Sequence, residues 1–129
     1  MTTELVILTL AALLQVVQFM LYSVLANMQV TPRVALGPRD KPVTLSGYAG
    51  RAQRAMNNHF EGLILFSIAA LVVTLGDKTT GLTAICAWTY LAARIAYIPA
   101  YMFGLTPWRT LIWCVGFGAT TLMLLSALI

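Results

Sequence analysis

Charge is what this chain has least of. Of its 129 residues only 9% are charged, four of them acidic and eight basic, where soluble domains carry about 25%. With 60% of the residues hydrophobic, that scarcity excludes a water-soluble globule and predicts an integral membrane protein. Histidine and cysteine are nearly as rare. Cys86 and Cys114 stand inside apolar runs without a second Cys or a His at ligand spacing, and His59 is single, so a metal site is disfavoured and the thiols read as inert packing groups. Also missing are a nucleophile with a base at hand, a Gly-rich phosphate loop and paired carboxylates. No Lys or Arg precedes the first apolar run and no A-x-A site follows it. That run therefore reads as a resident helix rather than a cleaved signal peptide.

Apolar length is what remains. Four segments stand out, at about residues 4–26, 55–75, 80–103 and 107–129. Each can cross a hydrocarbon core of about 30 Å if the second includes its polar start. Little chain is left over, so the expectation is a single domain, 1–129: an all-α, four-transmembrane-helix bundle in a lipid bilayer. The net charge of +4 is placed unevenly. Arg33, Arg39, Lys41, Arg51 and Arg54 face one Asp40 before the second span, Asp77 sits beside Lys78, and Arg109 follows the third span. By the positive-inside rule the first and third connections are cytoplasmic and both termini lie on the other side. The basic excess needs no nucleic acid to explain it.

The second span carries the most informative stretch. From Arg51 to Leu75 no proline intervenes, so polar and apolar halves form one helix. Residues 62–75 span roughly 21 Å, short of a membrane's thickness. Part of the polar half must therefore be submerged. Arg51, Arg54, Asn57, Asn58 and Glu61 fall within an arc of roughly 120°, with Met56, His59 and Phe60 pointing elsewhere. An ionised group facing lipid costs on the order of 2.5 to 3.5 kcal/mol, so this stripe should face protein or a wet cavity. The plainer alternative makes residues 51–57 a solvated extension and gives Glu61 a neighbouring partner.

The third span repeats the pattern in aromatic form. Tyr90, Arg94, Tyr97 and Tyr101 share a stripe only about 60° wide. The connection from Gly76 to Gly81 is so short that spans two and three must be antiparallel neighbours. Glu61 lies 15 residues before Gly76 and Arg94 lies 13 after Gly81, placing both roughly 20 Å from the outer surface. They are the expected ion pair. Pro99 frees a backbone carbonyl and predicts a kink. Gln15, Gln18 and Tyr22 share a face of the first span and read as hydrogen-bonding contacts between helices. Pro107 opens the fourth span and puts Arg109 at the cytoplasmic mouth, while Gly116 and Gly118 offer a close-packing surface.

Arg51, Arg54, Asn58 and Glu61, followed by Arg94, Tyr97 and Tyr101 and then Pro107 and Arg109, form an ordered pattern. It resembles the membrane-associated proteins in eicosanoid and glutathione metabolism, the MAPEG family. Leu36, Gly37, Pro38, Arg39 and Asp40 are similar to its bacterial branch, which implies a bacterial inner membrane. The resemblance covers nearly the whole chain and implies a homotrimer, with glutathione as bound cosubstrate between subunits near the cytoplasmic face. It implies that Arg54, Asn58, Glu61, Tyr97 and Tyr101 bind glutathione and that Arg109 stabilises its thiolate, the catalytic role. Arg51, Asn57 and Arg94 complete the candidate binding set from their place in the stripes. Met56 stands where many members carry a polar residue and Asn57 where some carry another Arg, which bears on the carboxylate clamp. The implied function is a glutathione-dependent transferase or peroxidase acting on a hydrophobic small-molecule electrophile. The alternative is a non-enzymatic scaffold or accessory subunit of a larger membrane complex. A transporter is less well supported, since no span is broken at the midplane and no internal repeat is visible.

Overall fold

Four helices account for nearly all of the described chain. The computed structural model describes residues 1–29 and 45–129; the Pro-rich connection, with the motif at 36–40, lies outside them. Helix α1 runs Thr3–Asn27, α2 Gly47–Leu75, α3 Gly81–Met102 and α4 Trp108–Ser126. All four are long and apolar enough to cross a membrane, and among the described residues there is no strand. The protein is an all-helical integral membrane bundle.

The helix starts follow local chemistry. Thr2 caps α1 by accepting from Leu5 N–H, and Thr80 caps α3 with Thr83 in a reciprocal capping box. Helix α2 begins a turn earlier than its polar stripe, at Gly47, whose φ of +59° suits glycine. Gly47 and Gly50 are thus inside α2 rather than leading into it. Gly50 permits a close approach, because a Cβ there would lie 2.8 Å from the Leu45 carbonyl oxygen. Pro99 does not end α3, which continues to Met102.

Helices α2 and α3 pack together in the middle, with α1 against both on one side and α4 against both on the other. At one end Thr2 and Thr74 join their hydroxyls at 3.2 Å, and Thr83 Oγ1 donates to Glu4 Oε1 at 2.5 Å. Glu4 is only 2% exposed. At the other end the Gln29 amide clamps Ser46, donating to its carbonyl at 2.7 Å and accepting from its N–H at 3.1 Å. Between the two, Ile7, Ala11, Phe66, Ala69, Ala87 and Met123 belong to one apolar core. Its alanines let backbones approach, which is how helices associate where lipid is as apolar as protein. Phe66 stacks flat on Tyr90, ring centres 4.0 Å apart, and marks where the core gives way to the polar cluster.

Candidate functional site: a cation cluster on tyrosines

The α3–α4 end of the bundle gathers guanidinium groups on aromatic faces. Tyr101, in the last turn of α3, lies between two of them: Arg54 Nε donates to its hydroxyl at 3.0 Å, and Arg109 from the start of α4 stands over its ring at 4.8 Å. Tyr97, one turn deeper, is 5.6 Å from Tyr101 and carries the Arg94 guanidinium over its face at 4.6 Å. Arg94 is 4% exposed. A cation at such depth needs compensation, and the π face and the Asn58 side chain, whose Oδ1 accepts from Nη1 at 2.9 Å, supply it. The compensation is incomplete. Arg94 Nε and the Tyr90 hydroxyl are buried without a hydrogen-bond partner among the described residues.

The expected Glu61–Arg94 pair is corrected here. The two residues do line one cleft between α2, α3 and α4, so their common depth is right. Arg94, however, bonds Asn58, one turn of α2 nearer the cation-rich end, and Glu61 is exposed on the single chain. A helical side chain leans toward the N-terminus of its own helix. On antiparallel α2 and α3 that lean carries Arg94 away from Asn58, so it is the reach of the long Arg94 side chain, its guanidinium over Tyr97, that brings it to Asn58.

Residues 7–129 match the MAPEG family model. The chain belongs to the MAPEG family. No curated protein matches the chain, and no solved structure does. The family includes glutathione transferases and peroxidases, and the four-helix bundle is its fold.

Within this MAPEG chain the candidate residues fall into three groups. Arg54, Tyr97, Tyr101 and Arg109 converge directly, and Asn58 joins them through Arg94. Glu61 sits on the adjoining cleft. Arg51 and Asn57 stand apart. Arg51 Nη1 donates to the Met102 carbonyl at 2.9 Å, and its guanidinium lies against Gly104, whose φ is +64°. It thereby caps the free carbonyl end of α3 and holds the turn into α4. Asn57 is exposed, a step round the helix from Asn58.

Two polar contacts lie off the stripes. His59, 0% exposed, pairs its Nδ1 with Gln18 Nε2, and Gln15 donates to the Met56 carbonyl at 3.4 Å. The glutamine face of α1 therefore packs inward as expected, and its partner is the face of α2 opposite the arginines. Glu4 was not foreseen, because an acid in a first turn ordinarily answers the helix dipole from the surface. The thiols divide: Cys86 is buried as expected, whereas Cys114 is exposed on α4. Gly116 meets Ala93 and Tyr90 of α3, while among the described residues nothing lies within 4 Å of where a Cβ of Gly118 would stand.

Proposed function

We propose that this protein is a membrane-bound glutathione-dependent transferase or peroxidase acting on hydrophobic electrophiles. It works as a homotrimer, with the cosubstrate between subunits near the cytoplasmic face. The observation that carries the reading is Tyr101 held between Arg54 and Arg109, with Asn58, Arg94 and Tyr97 a turn or more deeper. These donors suit a small, mostly anionic, zwitterionic peptide. Guanidinium forks take carboxylates, an exposed Glu61 takes an ammonium, and Asn58 with the tyrosines takes amides. The unpartnered Arg94 Nε adds a donor that neither Asn58 nor Tyr97 uses.

Glutathione supplies the nucleophilic sulfur. The chain's part is to hold that sulfur as thiolate and to keep bulk water away. A guanidinium close to a thiol favours its ionised form, and Arg109 can fill that role because its partner among the described residues is the π face of Tyr101, which does not cancel its charge. The apolar faces around the cluster let a hydrophobic electrophile arrive from the bilayer. Orientation follows from the cations: Arg51, Arg54 and Arg109 gather at the end the positive-inside rule assigns to the cytoplasm.

The test combines binding and chemistry on the purified protein. Glutathione is expected to raise the thermal stability and to give an ultraviolet thiolate signal. Arg109→Ala should abolish that signal and slow conjugation of chlorodinitrobenzene about a hundredfold or more. No signal in the parent protein, together with an unchanged rate in the variant, would overturn the reading in favour of a non-enzymatic membrane subunit.

A further inference from the structure

The seam between α1 and α2 holds polar atoms that the glutathione reading does not use. Gln15, Gln18 and His59 are 6%, 3% and 0% exposed. Gln15 Nε2 donates to the Met56 carbonyl at 3.4 Å, and Gln18 Nε2 meets His59 Nδ1. Each contact engages one end of a side chain and leaves the other end idle. Gln15 Oε1, Gln18 Oε1 and His59 Nε2 are buried without a hydrogen-bond partner among the described residues. At membrane depth bulk water does not reach them, and an unpaired polar group there is costly. Three such atoms in one seam point to a ligand.

The same atoms fix the chemistry of that ligand. The Met56 carbonyl can only accept, so Gln15 turns its amide nitrogen toward it and presents Oε1 as a free acceptor. With Gln18 Nε2 donating to Nδ1, the neutral imidazole carries its hydrogen on Nε2 as a free donor, and Gln18 Oε1 is a second free acceptor. Turning the Gln18 amide over exchanges the roles: its NH2 becomes the free donor and His59 Nε2 the free acceptor. In both arrangements the seam offers a donor and two acceptors. A metal cation satisfies the acceptors alone, a halide the donor alone, and an acyl chain neither.

Spacing sets the size. Gln15 and Gln18 are three residues apart on α1, as are Met56 and His59 on α2, so the set spans about 4.5 Å of helix rise. Two hydrogen bonds of about 2.8 Å meeting at one oxygen reach about 5.6 Å. We propose that the α1–α2 seam is a binding site for a water molecule, which bridges His59 to Gln18 and Gln15. About three bonds of this kind are the usual complement of a buried water. The bound water joins two separate side-chain contacts into one network, so α1 is fastened to α2 partly through a ligand. The site lies on the face of α2 away from the arginines and does not depend on the transferase reading.

His59 is the only histidine in the chain, so isotope labelling of histidine gives a single-site probe for solid-state NMR. The experiment uses the full chain, labelled in histidine and alanine, in bilayers of deuterated lipid, with Tyr22→Phe to remove an exchanging hydroxyl from the same face of α1. Magnetisation from water is expected to reach the His59 ring and not Ala69, which is equally buried but lies in the apolar core. Gln15→Leu with Gln18→Leu should abolish transfer to the ring, because a buried water needs two to four partners and the imidazole alone offers it one. No transfer in the Tyr22→Phe protein, or transfer that persists in a folded double variant, would overturn the site. A thermal readout serves even where the double variant does not fold. Gln15 and His59 share no direct hydrogen bond among the described contacts, so the falls in midpoint from Gln15→Leu and His59→Leu should add if the two are independent and fall short of the sum if one water joins them. Strict addition would overturn the bridge.

Discussion

Helix α2 carries polar groups on two sides, and they are treated in opposite ways. Toward α1, His59, Gln18, Gln15 and Met56 form a neutral, buried set whose hydrogen bonds run from one helix to the other, with Gln15 Oε1, Gln18 Oε1 and His59 Nε2 left without a partner among the described residues. Toward α3 and α4, Arg54, Asn58 and Glu61 belong to a charged set in which cations rest on tyrosine rings and Glu61, the carboxylate nearest them among the described residues, is left exposed. The first side fixes how α1 and α2 meet. The second keeps charge and donors uncommitted, which lowers stability and is what a ligand site requires. The difference teaches that burial and unpaired atoms alone do not tell the two sides apart, since both have them; what separates them is charge, neutral amides and an imidazole toward α1 against guanidinium groups on tyrosine rings toward α3 and α4.

Changing Arg94 should break this contrast most sharply. Arg94→Met replaces a buried, partly compensated cation with an apolar side chain of similar length. The replacement removes the desolvation cost of a buried charge that has no anionic partner in the contacts described above. The thermal midpoint without ligand is therefore expected to hold or rise, while the stabilisation by glutathione, about 2.7 kcal/mol at a hundredfold excess over Kd, should vanish. A midpoint that falls with ligand stabilisation intact would make Arg94 a packing residue.

On the α1 side the expected effect is smaller and of opposite kind. Gln18→Leu leaves His59 buried without its partner and should lower stability by about 0.6 to 1.7 kcal/mol, the range for hydrogen bonds between helices in membranes. Adding His59→Leu should cost less than the sum of the single changes. Glutathione binding, read by thermal shift, should not change in either variant.

The smallest effect belongs to Arg51. If its place is at the α3 terminus, Arg51→Ala should lower stability by less than about 1 kcal/mol, speed amide exchange in the turn after Met102, and change glutathione affinity less than about threefold. A tenfold loss of affinity would move Arg51 across to the ligand side.

Periodicity made much of this legible. The spacing of Arg94, Tyr97 and Tyr101 gives a stripe whatever surrounds it, and the short turn after Leu75 fixes α2 against α3. Pro107 marks the start of α4, where it stands as the residue before Trp108. Partner choice was not legible. Backbone height pairs Arg94 with Glu61, but the reach of the Arg94 side chain over Tyr97 and the rotation of α2, which leaves Glu61 exposed, bring Asn58 to it instead. His59 reads as off the arginine stripe, yet nothing in its spacing names Gln18, because the approach of α1 depends on small residues spread along both helices. Glu4 is buried by Thr83 from 79 positions away, a contact no local pattern encodes.

The company Arg94 keeps also bears on how the chain is made. Its hydrogen bond goes to α2 and its aromatic neighbour is on α3, so both come from segments that precede α4 in the order of synthesis. The hairpin of α2 and α3 can therefore leave the insertion machinery with its deepest cation already shielded, before the last helix has been translated.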